Sequence, residues 1–213
     1  MWRRERQERR DWIEQLRRGE RPAWARLVRE QHPRIYAMLV HLTRDRHAAE
    51  DLCQETFAAA WAGSGSFAGD CAIGTWLYRI AYRKFLDARR GRAAKSRAAQ
   101  LDAEASYSPD PLAGLLIEEQ QRALHDAMAR IGDDAARAAI VLHYLQGLSY
   151  REMVQVTGEP VGTVKWRTKA ALEQLGRLLG AAATTTRNDE STRDQRADPA
   201  AAGDAVAADT SGT

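Results

Sequence analysis

Cysteine, proline and long apolar runs are scarce in this sequence, and each scarcity removes a class of protein. Cys53 and Cys71 are the two cysteines among 213 residues, and neither has a second cysteine or a histidine at zinc-ligand spacing. Neither a disulfide scaffold nor a zinc site is expected. No purely apolar stretch approaches the roughly 20 residues that span a bilayer, so no membrane insertion is expected. Residues 1–10 mix arginine with glutamate and lack the apolar core of a secretion signal, which predicts a cytoplasmic protein. The histidines, at 32, 41, 47, 125 and 143, are scattered without a nucleophile or metal constellation beside them. An enzyme therefore finds little support, and no catalytic residue, metal ligand or cofactor is assigned.

What is present is the composition of a globular chain: 44% apolar and 29% charged residues, in a length that makes one large or two small domains. The net charge of +3 is unevenly spread. Residues 181–213 hold three of the 32 basic and six of the 29 acidic residues, which leaves residues 1–180 with a surplus of six positive charges. That bias suits a polyanionic partner, and by itself it suits an ordinary solvated surface equally well.

Long stretches rich in Ala, Leu, Arg and Glu, with no alternating strand pattern, predict an all-α fold. Punctuation divides it into two small helical domains joined by a flexible linker. Residues 1–21 form a charged helix with Trp12, Ile13 and Leu16 as its apolar handle. Residues 22–92 form a first helical block, whose second helix is expected to start after Pro33, since proline fits a first turn. Residues 93–116 read as the linker, ending in Ser108-Pro109-Asp110-Pro111. Residues 117–180 form a second block, opened by Leu124, Met128 and Ile131 at helical spacing. There Gly132-Asp133-Asp134 ends one helix and caps the next. Residues 181–213, without apolar periodicity, read as a disordered acidic tail.

The second block contains a helix-turn-helix. Ser149-Tyr150-Arg151-Glu152 fits a capping box, in which the serine and glutamate side chains satisfy each other's end of the helix. The short helix stops at Thr157-Gly158-Glu159-Pro160, and a longer one puts Val161, Val164, Thr168, Ala171, Leu175 and Leu178 on one stripe. The opposite face carries Gly162, Thr163, Trp166 and Lys169, flanked by Lys165 and Arg167. Small residues let the backbone approach a groove, cations reach phosphates or guanine edges, and a ring can touch a thymine methyl. Packing of Trp166 against another domain is the competing reading.

In the first block, Ala48–Trp61 form a helix with acids in its first turn, favourable to the helix dipole. Asp51, Gln54 and Glu55 make a compact acidic face suited to a basic partner helix, or simply to water. A glycine-containing connection from Phe67 to Thr75 leads into Trp76–Arg90, with a core stripe of Leu77, Ile80, Ala81, Phe85 and Ala88. Arg79, Tyr82, Arg83 and Arg90 project elsewhere, and cations interleaved with rings suit partly opened DNA. Trp76 and Phe85 also fit a purely structural role in the core.

These constellations, in this order, resemble bacterial RNA polymerase sigma factors, specifically the extracytoplasmic-function (ECF) group of the sigma-70 family. The match is carried by Ala49-Glu50-Asp51-Leu52, Gln54-Glu55-Thr56-Phe57, Trp61, Phe67, Thr75-Trp76-Leu77, Arg79-Ile80-Ala81 and Asp87 with Arg89-Arg90. In the second block it is carried by Gly147–Glu152, Pro160–Lys165 and Arg167.

The resemblance implies that Asp51, Gln54, Glu55 and Phe57 bind core RNA polymerase. It gives minus-10 DNA to Phe67, Trp76, Arg79, Tyr82, Arg83 and Arg90, with the Phe67–Thr75 loop capturing a base pulled from the stack. Thr163, Lys165, Trp166, Arg167 and Lys169 would read the minus-35 element of promoter DNA. An anti-sigma factor is an implied partner. Arg83 stands where the family usually has Asn and Trp166 where Ser is common, so the promoter sequence preferred here does not carry over. A stand-alone helix-turn-helix regulator is the alternative from the residues alone. It would bind duplex DNA tightly by itself, usually as a dimer on two half-sites.

Overall fold

The structure, a computed structural model, describes residues 2–99 and 123–194. Every described element is helical. The first part comprises α1 (Trp2–Arg17), α2 (Arg21–Thr43), α3 (Arg46–Ala62), one 3-10 turn (Ser64–Ser66) and α4 (Ile73–Ala99). The second comprises α5 (123–129), α6 (Asp134–Ile140) running into a π-helical turn (Val141–Leu145), α7 (Tyr150–Thr157) and α8 (Val161–Asp194). The expected linker falls between them. Its first seven residues, 93–99, continue α4, and the rest lies outside the described residues.

Three local expectations are corrected. No helix begins after Pro33: α2 runs through it, with Glu20 extended at the N-cap and Pro22 in the first turn. An interior proline costs roughly 3 kcal/mol through a lost hydrogen bond and a steric clash. Pro33 is exposed, however, and α2 buries Trp24 and Leu27 before it and Ile35, Met38, Leu39 and Leu42 after it. At roughly 1.5–3 kcal/mol for each such side chain, burial outweighs the proline. Likewise α3 begins two residues before Ala48, with Asp45 as N-cap accepting from the Ala48 amide at 3.1 Å. Glu50 and Asp51 therefore sit in the second turn. Finally, α8 passes the expected tail boundary and reaches Asp194, through Ala181–Ala183, the strongest helix formers available. Residues 195–213 lie outside the described residues.

The first core joins Leu27, Ile35, Met38 and Leu39 of α2 with Leu52 and Cys53 of α3 and Leu77, Ala81 and Phe85 of α4. The same cluster of buried residues continues through Ile131, Val141, Leu142, Met153, Val164 and Leu175. The two parts meet where α4 lies along α7 and α2 meets the π-helical turn. The joint is hydrogen bonded. The Tyr78 hydroxyl donates to Gln146 Oε1 at 2.7 Å, Arg34 Nη2 to the Gln146 carbonyl at 3.0 Å, and Arg44 Nη1 to the Ala129 carbonyl at 2.7 Å.

Arg137, 1% exposed, is the deepest polar group of this joint. Its Nη1 donates to the Ile131 carbonyl at 2.7 Å and its Nη2 to the Leu42 carbonyl at 3.3 Å, while Asp134 pairs with it. Asp134 also holds Arg89 of α4 at 2.6 Å. Removing one partner of a buried pair leaves the others unsatisfied in a dry site. Arg137→Ala is therefore expected to destabilise the fold by about 3 kcal/mol, read as a lower urea midpoint; an unchanged midpoint would refute this role.

Candidate nucleic-acid interface

The helix-turn-helix is assembled by local chemistry. The Ser149 amide donates to Glu152 Oε2 at 2.9 Å and the Glu152 amide to Ser149 Oγ at 3.3 Å, closing the capping box at the start of α7. Gly158 ends α7 at φ +75°, a left-handed conformation that costs glycine little, and its amide donates to the Val154 carbonyl at 2.9 Å. The Glu159 amide then donates to Thr157 Oγ1 at 3.2 Å, and α8 starts at Val161. Val164, Thr168, Ala171 and Leu175 are buried as the stripe predicts, with the Thr168 hydroxyl donating to the Val164 carbonyl at 2.8 Å. Val161, at the tip, is exposed.

The outer face of α8 is open. Trp166 is 69% exposed, and Lys165 and Lys169 beside it are exposed as well. Lys165 Nζ lies 5.8 Å from the centre of the Tyr150 ring, and Lys169 Nζ lies 3.9 Å from Glu173. Thr163 is half-buried. Arg167 is turned the other way, where its Nη1 meets Glu159 Oε1 at 2.5 Å.

In the first part, Asp51, Gln54 and Glu55 share an exposed surface of α3, with Phe57 half-buried next to it. Glu55 has a neighbour that spacing within α3 could not reveal: Lys84 of α4, at 3.1 Å. The loop after α3 is anchored by Phe67, 2% exposed, whose ring lies 5.1 Å from that of buried Trp76. Ala68, Gly69 and Asp70 beyond it are exposed. Along α4, Arg83 and Arg90 are exposed, Arg79 is half-buried, and Arg90 pairs with Asp87 at 2.5 Å.

Tyr82 departs most from the expected outward face, being 5% exposed. Burial pushes its hydroxyl pKa up to about 12, with Glu159 adding to the rise and Arg167 opposing it. Those two charged side chains belong to the turn before α8 and to its second turn, so the second part lies near Tyr82. Arg17, Arg137 and Gln146 organise the neighbourhood of the site and carry no sequence signal, because their partners are 50, 95 and 68 residues away.

Among the described residues no group of three or more His, Cys, Asp or Glu is placed to hold a metal ion, and no helix is long and apolar enough to cross a membrane. The family model for Sigma-70 region 2 matches residues 27–95, and that for Sigma-70, region 4 matches residues 133–175. The RNA polymerase sigma-H factor of Pseudomonas aeruginosa is 33% identical over 178 residues, 78% of this chain and 91% of that protein. The ECF RNA polymerase sigma factor SigW of Bacillus subtilis is 32% identical over 180 residues, 78% of this chain and 94% of that one. The chain belongs to the ECF sigma factors of the sigma-70 family.

Among solved structures, the sigma factor RpoE from Bartonella quintana, in complex with the anti-sigma factor NepR, is similar with a TM-score of 0.62 and 25% identity. The likeness covers 73% of this chain and 96% of that one. As an ECF sigma factor the protein serves transcription initiation, with region 2 for the minus-10 element and region 4 for the minus-35 element. The family is non-enzymatic. The helix-turn-helix is thus the DNA-binding core of region 4, and α3 and most of α4 lie within region 2.

The capping box gives region 4 a measurable acid sensitivity. Hydrogen bonds from Ser149 hold the Glu152 carboxyl below the ordinary glutamate pKa, against a smaller opposing effect of burial. A depressed folded pKa contributes stability that is present above the unfolded value and is lost as pH falls through the folded one. Ser149→Ala is expected to cost about 1 kcal/mol at neutral pH and to flatten the fall in stability below about pH 4.5. Thermal melts of both proteins across pH 3–7 check this, and parallel curves would contradict it.

Proposed function

We propose that this sigma factor joins core RNA polymerase through the outer face of α3 and reads promoter DNA through the Phe67–Thr75 loop, α4 and α8. The outer face of α8 carries the reading: an exposed indole between two exposed lysines, on a helix whose other side is already buried. An apolar ring left in water marks a contact surface when it is rimmed by charge. In a major groove the lysines meet phosphates or guanine edges and the ring meets a thymine methyl. Thr163 lies close to the start of the helix, the end that reads bases in this motif. Arg167 joins the DNA set by exchanging Glu159 for phosphate.

On region 2, Asp51, Gln54 and Glu55 offer acceptors to a basic helix of the polymerase, and Phe57 offers an apolar edge. The exposed Glu55–Lys84 pair, worth about 0–1 kcal/mol, yields readily to a partner's cation. Arg79, Arg83 and Arg90 supply cations for minus-10 phosphates, while Phe67 and Trp76 hold the loop that receives a base. Eversion of that base costs a few kcal/mol, which a preformed loop offsets. Tyr82 meets DNA once α4 and α7 separate, and the larger polymerase, by spacing the two regions, provides that separation. The complex of RpoE with NepR supports an anti-sigma partner for this chain, and work on polymerase places it in the cytoplasm.

Run-off transcription with purified core polymerase tests the whole reading. A transcript from a defined start supports it, whereas tight duplex binding without core and no transcript with it indicates a stand-alone regulator. Asp51→Ala combined with Glu55→Ala is expected to abolish retention on immobilised core polymerase while the thermal melt stays the same. Lys165→Ala is expected to lower the salt slope of promoter binding by about one if it touches phosphate, or to relax sequence preference if it touches a base. No change in either would remove Lys165 from the interface.

A further inference from the structure

Helix α1 precedes the residues matched to region 2, yet it is built into the first core. Leu16 is buried, its carbonyl accepts the Trp24 indole N–H at 2.9 Å, and Gly19 turns the chain into α2 at φ +69°. One side chain of α1 reaches the loop after α3. Arg17 donates from Nε to the Phe67 carbonyl at 2.7 Å and from Nη2 to the same oxygen, while Glu14 lies 3.8 Å from its Nη1. Phe67 is thus held twice, by its ring against Trp76 and by its carbonyl on a guanidinium. The next residues are the exposed Ala68, Gly69 at φ +75°, and Asp70. An open cleft of about 400 Å³ separates this turn from Ile13, Glu14 and Arg17 of α1.

We propose that α1 is part of the minus-10 apparatus, with Arg17 as a positioning residue that fixes the Phe67 carbonyl and so presents the Ala68–Asp70 turn to DNA. This rests on the assignment of the Phe67–Thr75 loop to a minus-10 base. The turn carries a left-handed glycine and small side chains, so its conformation has little support from its own packing. A charge-assisted bond at its base supplies that support. A loop ordered before the base arrives avoids the ordering cost at the moment of binding, and two N–H groups on one oxygen restrict its direction as a single donor does not.

The test uses the full chain with core polymerase and a promoter library randomised over the minus-35 and minus-10 elements, sequenced after run-off transcription. Arg17→Met keeps the aliphatic stem packed and removes the donors. It is expected to reduce discrimination at one or more minus-10 positions by about tenfold, the equivalent of one charged hydrogen bond, with minus-35 preference intact. Arg17→Lys, with one donor group, is expected to recover part of it. Equal loss of preference at both elements would indicate a general folding defect and overturn the positioning role. Asp70→Arg, on the loop itself, separates the two levels of the argument. If it alters minus-10 preference and Arg17→Met does not, the role of α1 is wrong and the loop assignment stands. If neither alters it, the loop assignment fails as well.

Discussion

Helix α4 is buried over one broad face, and the positions of the other functional elements follow from that. Leu77, Ala81 and Phe85 close the core shared with α2 and α3, while Tyr78 and Tyr82 turn toward the second helical part. A wide apolar face takes more than one neighbour to cover it. The loop before α4 is drawn against Trp76, Gln146 is bonded to Tyr78, and α7 packs along α4. Regions 2 and 4 therefore share one structural support.

Polar bonds as well as apolar contacts tie the two helical parts together. Tyr78 with Gln146, Arg34 with the Gln146 carbonyl, Arg44 with the Ala129 carbonyl, Arg137 with the Leu42 carbonyl and Arg89 with Asp134 are among the bonds that cross the joint. Such bonds exchange for water at a net cost of about 1–3 kcal/mol each, because water satisfies the same groups once they are exposed. That property suits a sigma factor, whose two DNA-reading surfaces have to face a duplex together. Contacts of this kind between domains of one chain resemble transient protein interfaces.

Legibility in the sequence followed the range of the interactions. The capping box at Ser149 and Glu152, the left-handed Gly158, the stripe from Val164 to Leu175 and the exposed face at Trp166 all depend on neighbours within a few turns, and all were readable. Pro33 departs from the local rule about helix starts because a long-range apolar surface on α2 outweighs it. The acidic face of α3 was found as a cluster, while the cation that neutralises part of it, Lys84, comes from another helix. Tyr82 looked free on a wheel of α4 because a helical wheel shows one helix and no neighbour.

By itself the sequence determined the helices of the DNA-reading motif, the residues that face out from it, and, through the spacing of two sets of motifs, membership of the ECF sigma factors. Periodicity and capping are chemistry between residues a few positions apart, and they read the same in the linear chain as in the fold. Only the tertiary structure decided that Arg17 grips the carbonyl of Phe67, that Arg137 ties α6 to the end of α2, and that Tyr82 is buried. Those contacts join groups 50 or more residues apart, whose meeting depends on how helices pack rather than on any pattern along one of them.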